Sequence, residues 1–119
     1  MMVIVFRSRL TPEAGADYAA TSDRMFALAK ESEGFVDMRS YVSEDGERLT
    51  LVWWKDAETL SRWRSDGRHR EAQETGRSRW YACYDMDVAE VVRESHFRRP
   101  GPTGAVATQA DGVRERAGE

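Results

Sequence analysis

Hydrophobic and polar residues follow two different periods along the chain, and these periods divide it into strands and helices. Apolar residues at helical spacing between positions 11 and 32 predict a long amphipathic helix. Two shorter helical patterns run from 56 through 63 and from 68 to about 77. Stretches rich in Val, Ile, Phe and Trp predict strands at residues 2–9, 35–43, 47–54 and 80–92. The order β-α-β-β-α-β predicts an α+β fold of the ferredoxin-like type, with its second helix in two pieces.

Local sequence signals predict where several of these elements begin and end. Thr11, Pro12 and Glu13 supply a capping hydroxyl, a proline for the first helical position and an acid for the first turn. They predict that the long helix begins there. Gly34 predicts the end of that helix. Gly46, between the second and third strands, predicts a tight hairpin turn because glycine readily adopts a positive φ.

Two of the predicted strands are apolar on both faces, at residues 2–6 and 49–54. A ferredoxin-like unit covers only one face of its sheet with helices, so its other face normally alternates polar with apolar residues. An apolar second face requires a cover, and the sheet of a second copy of the chain is the simplest one. We therefore predict a homodimer whose sheets face each other through Val5, Leu51 and Trp53.

Charge and composition narrow the classes of function. The formal net charge of the 119 residues is −3 with the signs interspersed, which gives no electrostatic argument for nucleic acid binding. The short apolar start is followed by Arg7, so we predict neither a signal peptide nor a membrane span and expect a cytoplasmic protein. Cys83 is the single cysteine, which leaves no thiol cluster for a metal. No metal site is predicted.

The C-terminal part of the sequence has a different character. From about Arg98 a stretch rich in Pro and Gly is followed by small and charged residues without periodicity. We therefore expect one domain at residues 1–97 and a flexible tail at 98–119. The alternative for the tail is an arm that wraps around the second subunit.

All four tryptophans of the chain fall between Trp53 and Trp80. His69 and Gln73 lie in the same stretch, four residues apart and therefore on one face of a helix. Tryptophan has a large apolar ring and an N–H that needs a partner, and polar groups beside several such rings are typical of a pocket wall. We expect the binding or reaction site here.

Several short motifs occur between the third strand and the end of the fourth: Trp53-Trp54-Lys55-Asp56-Ala57-Glu58, Arg62-Trp63-Arg64, His69-Arg70-x-Ala72-Gln73, Gly76-Arg77 and Tyr84-x-x-x-Val88-Ala89. Because of these motifs, residues 2–97 resemble the antibiotic biosynthesis monooxygenase domain. The resemblance implies a dimeric α/β-barrel built from two ferredoxin-like units. It leaves the activity open, because this superfamily includes quinone-forming monooxygenases without a cofactor as well as haem-degrading enzymes.

The quinone-forming members oxidise a phenol with dioxygen, using a tryptophan at the end of the third strand and an asparagine four residues before it. Trp54 matches the tryptophan. Thr50 stands at the asparagine position and has no amide. The resemblance therefore implies a catalytic role for Trp54, with Thr50 as a hydroxyl donor to the substrate.

The haem-degrading members use an asparagine near the end of the first strand, a tryptophan on the second helix and an iron-ligating histidine ten residues later. Trp63 matches the tryptophan, whereas Ser8 and Gln73 stand at or near the other two positions. Glutamine does not ligate haem iron, so only His69 remains on this helix to hold it. We expect a colourless protein that binds haemin weakly.

The resemblance, together with the predicted pocket, implies a cofactor-independent monooxygenase that oxidises a small aromatic or phenolic substrate with dioxygen. An imidazole titrates near neutral pH and can take a phenolic proton, so His69 is the predicted base. The alternatives are a haem-binding or haem-degrading protein, and a binding protein or cyclase for a small aromatic ligand. The predicted site residues are, for catalysis, His69, Trp63 and Trp54, and, for substrate binding, Gln73, Trp80, Tyr84 and Thr50.

Overall fold

A computed structural model describes residues 1–101 of the chain. Within this part, four strands and three α-helices alternate in the predicted order, and a π-helical turn, Gly76–Trp80, precedes the last strand. The α+β ferredoxin-like unit is thereby confirmed. The elements are β1 (Met2–Leu10), α1 (Ala16–Glu31), β2 (Phe35–Val42), β3 (Arg48–Trp54), α2 (Ala57–Ser65), α3 (Gly67–Thr75) and β4 (Tyr81–Glu90).

The four strands form one antiparallel sheet in the order β2-β3-β1-β4. The helices pack on one of its faces, where Ile4, Val52 and Trp54 form a core with residues of α1 and α2. The other face has no cover within the described part of the chain. There Val5 lies directly opposite Leu51, and all the apolar side chains at its centre are half-buried.

The beginning of α1 corrects the sequence prediction. The helix starts at Ala16, after the N-cap Gly15, and not at Thr11. The Thr11 hydroxyl donates to the backbone carbonyl of Arg79 at 2.7 Å, and its N–H donates to that of Trp80 at 2.7 Å. The prediction was wrong because Thr11 bonds to a distant segment instead of capping the helix that follows it.

The other predicted ends agree with the structure to within about two residues. Gly34 has φ +85°, and a Cβ there would overlap the side chain of Thr59, so only glycine fits. Gly46 has φ +92° in the hairpin between β2 and β3. Asp56 caps α2 by accepting a hydrogen bond from the N–H of Thr59 at 2.8 Å.

The segment that follows β4 forms neither helix nor strand as far as residue 101. The N–H of Val91 donates to the carbonyl of Met1 at 2.9 Å, whereas Val92 and Phe97 expose most of their side chains. Most of the predicted tail, 98–119, lies outside the described residues, so that prediction stays open. No helix within residues 1–101 is long and apolar enough to cross a membrane.

Candidate functional site

A cavity of about 170 Å³ lies between the sheet and the helices that cover it. Its floor is the helix-facing side of the sheet, where successive strands contribute alternate residues. β1 supplies Ile4 and Phe6, and β3 supplies Thr50 and Val52. These four side chains are neighbours because Ile4 pairs with Val52 and Phe6 with Thr50 across the two strands. The roof is formed by α1 and α3, which contribute Met25 and other side chains.

Three of the predicted residues form a continuous ring stack at one end of this cavity. The ring centroids of Trp54 and Trp63 are 5.6 Å apart with an interplanar angle of 30°. The centroids of Trp63 and His69 are 4.3 Å apart, again at 30°. Trp63 and His69 line the cavity. Trp54 is fully buried behind Trp63 and is not part of the lining, so the structure places it in the core rather than in the pocket wall.

A sharp break between α2 and α3 brings His69 back over Trp63. Asp66 stands between the two helices with an extended backbone. Its N–H donates to the carbonyl of Trp63 at 3.2 Å, and its carboxylate accepts from the N–H of Arg68 at 2.8 Å. The same residue therefore ends one helix and caps the next. The break between the two predicted pieces of the second helix is thus what positions the imidazole.

The environment of His69 favours a neutral imidazole. Burial lowers the pKa of His69 below its ordinary value of 6.5, and the charge of Arg64 acts in the same direction. The Asp66 carboxylate and the backbone of Trp63 oppose the shift but do not cancel it. The Nδ1 atom is buried and has no hydrogen-bond partner among the described residues. A neutral imidazole beside a cavity can accept a proton from a bound molecule.

The opposite end of the cavity is an aromatic wall. The ring centroid of Phe6 lies 5.4 Å from that of Tyr81 and 5.1 Å from that of Tyr84. The two tyrosine rings are 5.7 Å apart at 72°. Burial raises the pKa of Tyr81 well above its ordinary value, and the neighbouring Tyr18 adds to this effect. Tyr81 is therefore a neutral hydroxyl that can donate a hydrogen bond at physiological pH.

Tyr81 also lines the cavity but is not among the predicted residues, because strict alternation along the strand places it on the opposite face from Tyr84. A β-bulge brings the two residues to the same face. Leu10 pairs with Tyr81 and Arg9 with Cys83, so that Ala82 is an extra residue in β4. The hydrophobic pattern carries no signal of this bulge.

The π-helical turn sets the position of Trp80. Its side chain is buried at 4% exposure and lines the cavity, while its N–H donates to the Asp17 carboxylate at 3.2 Å. The polar atom of Trp80 is thus occupied by α1 and not directed to a ligand. A Cβ at Gly76 would overlap the ring of Tyr81, so the turn also supports the aromatic wall.

The structure brings six of the seven predicted site residues to the cavity and leaves one behind it. Gln73 lies on α3 one turn after His69, and the Thr50 hydroxyl shares a hydrogen bond of 3.1 Å with Ser40. Within residues 1–101, no group of three His, Cys, Asp or Glu side chains is arranged to hold a metal ion. The predicted residues in the lining are Thr50, Trp63, His69, Gln73, Trp80 and Tyr84.

Two curated proteins are similar to this chain over most of its length. The uncharacterized protein YqjZ of Bacillus subtilis (strain 168) is 34% identical over 94 residues, which cover 79% of this chain and 82% of that protein. The jasmonate monooxygenase ABM of Pyricularia oryzae is 29% identical over 104 residues. That match covers 83% of this chain but 48% of the relative, so the chain spans about half of its length.

Solved structures share the fold. Rv0793 of Mycobacterium tuberculosis superposes with a TM-score of 0.70 at 17% identity, covering 80% of this chain and 98% of that one. SnoaB, a cofactor-independent oxygenase from Streptomyces nogalater, superposes with a TM-score of 0.66 at 14% identity, covering 78% and 94%. At these identities the similarity concerns the fold alone.

The family follows from the sequence comparisons. A family model described as antibiotic biosynthesis monooxygenase matches residues 1–75, more than half of the chain. The identity to YqjZ extends the similarity over most of both proteins. Together with the ferredoxin-like sheet, these matches show that the chain belongs to the antibiotic biosynthesis monooxygenase family.

Proposed function

We propose that this protein is a cofactor-independent monooxygenase that oxidises a small aromatic or phenolic substrate with dioxygen. One observation carries the proposal: the half-buried His69, with a lowered pKa, is stacked on Trp63 at the wall of an aromatic cavity. The names of two similar proteins support the oxygenase part of the proposal, since one is a jasmonate monooxygenase and the other a cofactor-independent oxygenase.

The chemistry requires a base, an apolar pocket and hydrogen-bond donors. His69 takes the phenolic proton, and the electron-rich phenolate then reduces dioxygen itself. A C–O bond forms at the ring carbon para to the phenolate, and the C–H bond of that carbon breaks to release a proton. The O–O bond then breaks, and the outer oxygen leaves as water with this proton and the one that His69 took. Phenol and dioxygen thus give a quinone and water, with all four electrons supplied by the substrate. The reaction needs no external reductant.

The cavity offers suitable contacts for such a substrate. The Trp63 and His69 stack and the Phe6 and Tyr84 wall bound the cavity, and apolar contact with them would exclude water from a planar ring bound there. The Gln73 amide can donate to the developing quinone oxygen. Pockets for drug-sized ligands usually measure about 300–1,000 Å³. A cavity of about 170 Å³ therefore favours a substrate of one or two fused rings.

The geometry supports this proposal over the haem alternative. A porphyrin is at least as large as a drug-sized ligand, and the cavity of about 170 Å³ is smaller than the volume of about 300–1,000 Å³ that such ligands need. Weak binding of haemin remains our prediction.

We also propose that the protein is a homodimer that buries the open face of the sheet. Its centre is apolar, because Val3 lies opposite Trp53 and Val5 opposite Leu51. Arg39 and Asp37 form an ion pair of 2.7 Å farther along the same face. An apolar centre with charged groups around it is typical of a protein interface.

Oxygen consumption tests the proposed activity. Dihydroxynaphthalenes that carry a hydrogen para to a hydroxyl group, such as the 1,5 isomer, serve as probes, and the protein is first treated with a chelator and checked by absorbance for flavin and haem. We expect one dioxygen consumed for each quinone formed, at a rate above that of the probe alone. Conversion of a probe without oxygen uptake would instead indicate a cyclase or isomerase. Binding without any conversion would indicate a binding protein, and either result would contradict the proposal.

A further inference from the structure

The cavity wall carries a single charged side chain near neutral pH. Among the described residues that line it there is no aspartate, glutamate or lysine, and the one arginine is Arg64. His69 adds no charge, because burial lowers its pKa below 6.5. The wall therefore presents one positive charge to a bound molecule and no negative charge.

Arg64 differs from the two nearest arginines, Arg62 and Arg68, in its ion pairing. Arg62 pairs with Glu33 and Glu58 at 2.6 and 2.5 Å, and Arg68 pairs with Asp66 at 3.2 Å. Arg64, in contrast, makes no ion pair with any residue between positions 1 and 101.

The position of Arg64 connects it with the proposed base. Its side chain is exposed and also lines the cavity, so it lies at the opening. Its charge is close enough to His69 to lower the pKa of the imidazole. A guanidinium fork binds a carboxylate through two parallel hydrogen bonds, and such charge-assisted bonds are stronger at the edge of an apolar cavity than in water.

From this arrangement we propose that the substrate carries an acidic group, a carboxylate, which pairs with Arg64 while its ring enters the cavity. The inference rests on the proposed function, since it names the substrate class of the same site. An acid held by Arg64 keeps the adjacent part of the ring beside His69. The phenolic hydroxyl of the substrate is therefore expected close to its acidic group.

A matched pair of ligands tests the inference. The probes are 3-hydroxy-2-naphthoate and its methyl ester, which differ in charge but share the ring and the hydroxyl. Their affinities are measured by calorimetry under nitrogen, so that no oxidation takes place. We expect the wild-type protein to bind the acid about tenfold more tightly than the ester. We expect Arg64→Gln to lose this preference and Arg64→Lys to keep part of it.

Arg70→Gln is the matched control. Arg70 is exposed on α3 next to His69 and makes no ion pair with the described residues, but it does not line the cavity. This variant should keep the full preference for the acid.

Three results would overturn the inference: equal affinity of the wild-type protein for acid and ester, an unchanged preference in Arg64→Gln, or no binding of either probe at millimolar concentration. The outcome is independent of the oxygen chemistry, because binding is measured without dioxygen. A protein that prefers the acid but consumes no oxygen would contradict only the proposed monooxygenase activity. A protein that oxidises neutral phenols without preferring the acid would contradict only the role of Arg64.

Discussion

Trp53 and Trp54 are neighbours in the chain but belong to opposite faces of the same sheet. Trp54 has no exposed surface and packs between Phe35, whose ring centroid is 5.8 Å away, and Trp63. Trp53 lies opposite Val3 on the face that no helix of the described chain covers, and it is half-exposed. Because side chains alternate along a strand, these two tryptophans have different roles. Trp54 belongs to the hydrophobic core, and Trp53 belongs to the proposed dimer interface.

The covered face is itself divided into a filled half and a hollow half. Leu60, Trp54 and Trp63 fill the space beneath α2. The space between the aromatic wall and α3 remains open as the cavity. His69 lies at the boundary, stacked on the filled half and facing the hollow one. A reactive side chain that lies on a helix and packs against the core keeps its geometry better than one on a loop. This placement favours His69 as the catalytic residue.

The largest effect on stability is expected from Trp54→Ala. Removing a fully buried indole leaves a void that its neighbours cannot fill, so the free energy of unfolding should fall by about 3–5 kcal/mol. Trp53→Ala is the control from the other face. In a monomeric Leu51→Lys background, where no partner subunit covers Trp53, it should cost clearly less than Trp54→Ala in the same urea titration. Equal losses for the two variants would contradict the distinction between the faces.

Trp54→Phe separates packing from chemistry at the same position. The Nε1 atom of Trp54 is buried and has no hydrogen-bond partner among the described residues, so its removal loses no bond. If Trp54 acts only through packing, this variant keeps its turnover. A loss of turnover without a loss of stability would support the catalytic role that the sequence implied.

Leu51→Lys tests the open face. If that face is a dimer interface, an unpaired charge buried there should weaken association by about 3 kcal/mol or more, while the monomer stays folded. Light scattering at micromolar concentration measures the shift from dimer to monomer. Asp23→Lys, an exposed position on α1, should leave the dimer intact. A wild-type protein that is already monomeric at this concentration would contradict the proposed dimer.

A smaller effect is expected from Gly76→Ala. Gly76 has ordinary helical dihedral angles, so the only cost is the overlap of the new methyl group with the Tyr81 ring, about 1–3 kcal/mol. Gly67→Ala is the control, because a Cβ at that position meets no other atom. Thermal unfolding should show a lower melting temperature for the first variant alone. A similar change in both would mean that the aromatic wall does not depend on the turn.

The sequence predicted the elements because apolar periodicity reports burial directly, and it predicted the cavity region from the clustered tryptophans. It could not predict Tyr81, since a bulge shifts the alternation by one residue. It could not distinguish the core position of Trp54 from a pocket position, because both are buried on the same face. It also missed Arg64, whose place at the opening depends on the angle between two short helices.

The lowered pKa of His69 predicts how stability and turnover depend on pH. Burial lowers this pKa, so the folded protein binds a proton less readily than the unfolded chain, whose imidazole titrates near 6.5. His69 therefore does not reduce the free energy of unfolding above pH 6.5. This free energy decreases as the pH falls from 6.5 toward the lowered pKa of His69 in the folded protein. For catalysis the neutral base must be present, so turnover should rise as the pH rises through the same range and level off near neutrality.

The most direct test of the central claim, that neutral His69 is the base, is the pH dependence of kcat/KM for the wild-type protein and His69→Gln. The substrate is the best phenol from the oxygen-uptake assay. We expect a wild-type profile that rises with an apparent pKa below 6.5. We expect His69→Gln to be slower by about 10²–10⁴ and to lack this rise. An unchanged rate, or the same profile in His69→Gln, would remove His69 from the mechanism.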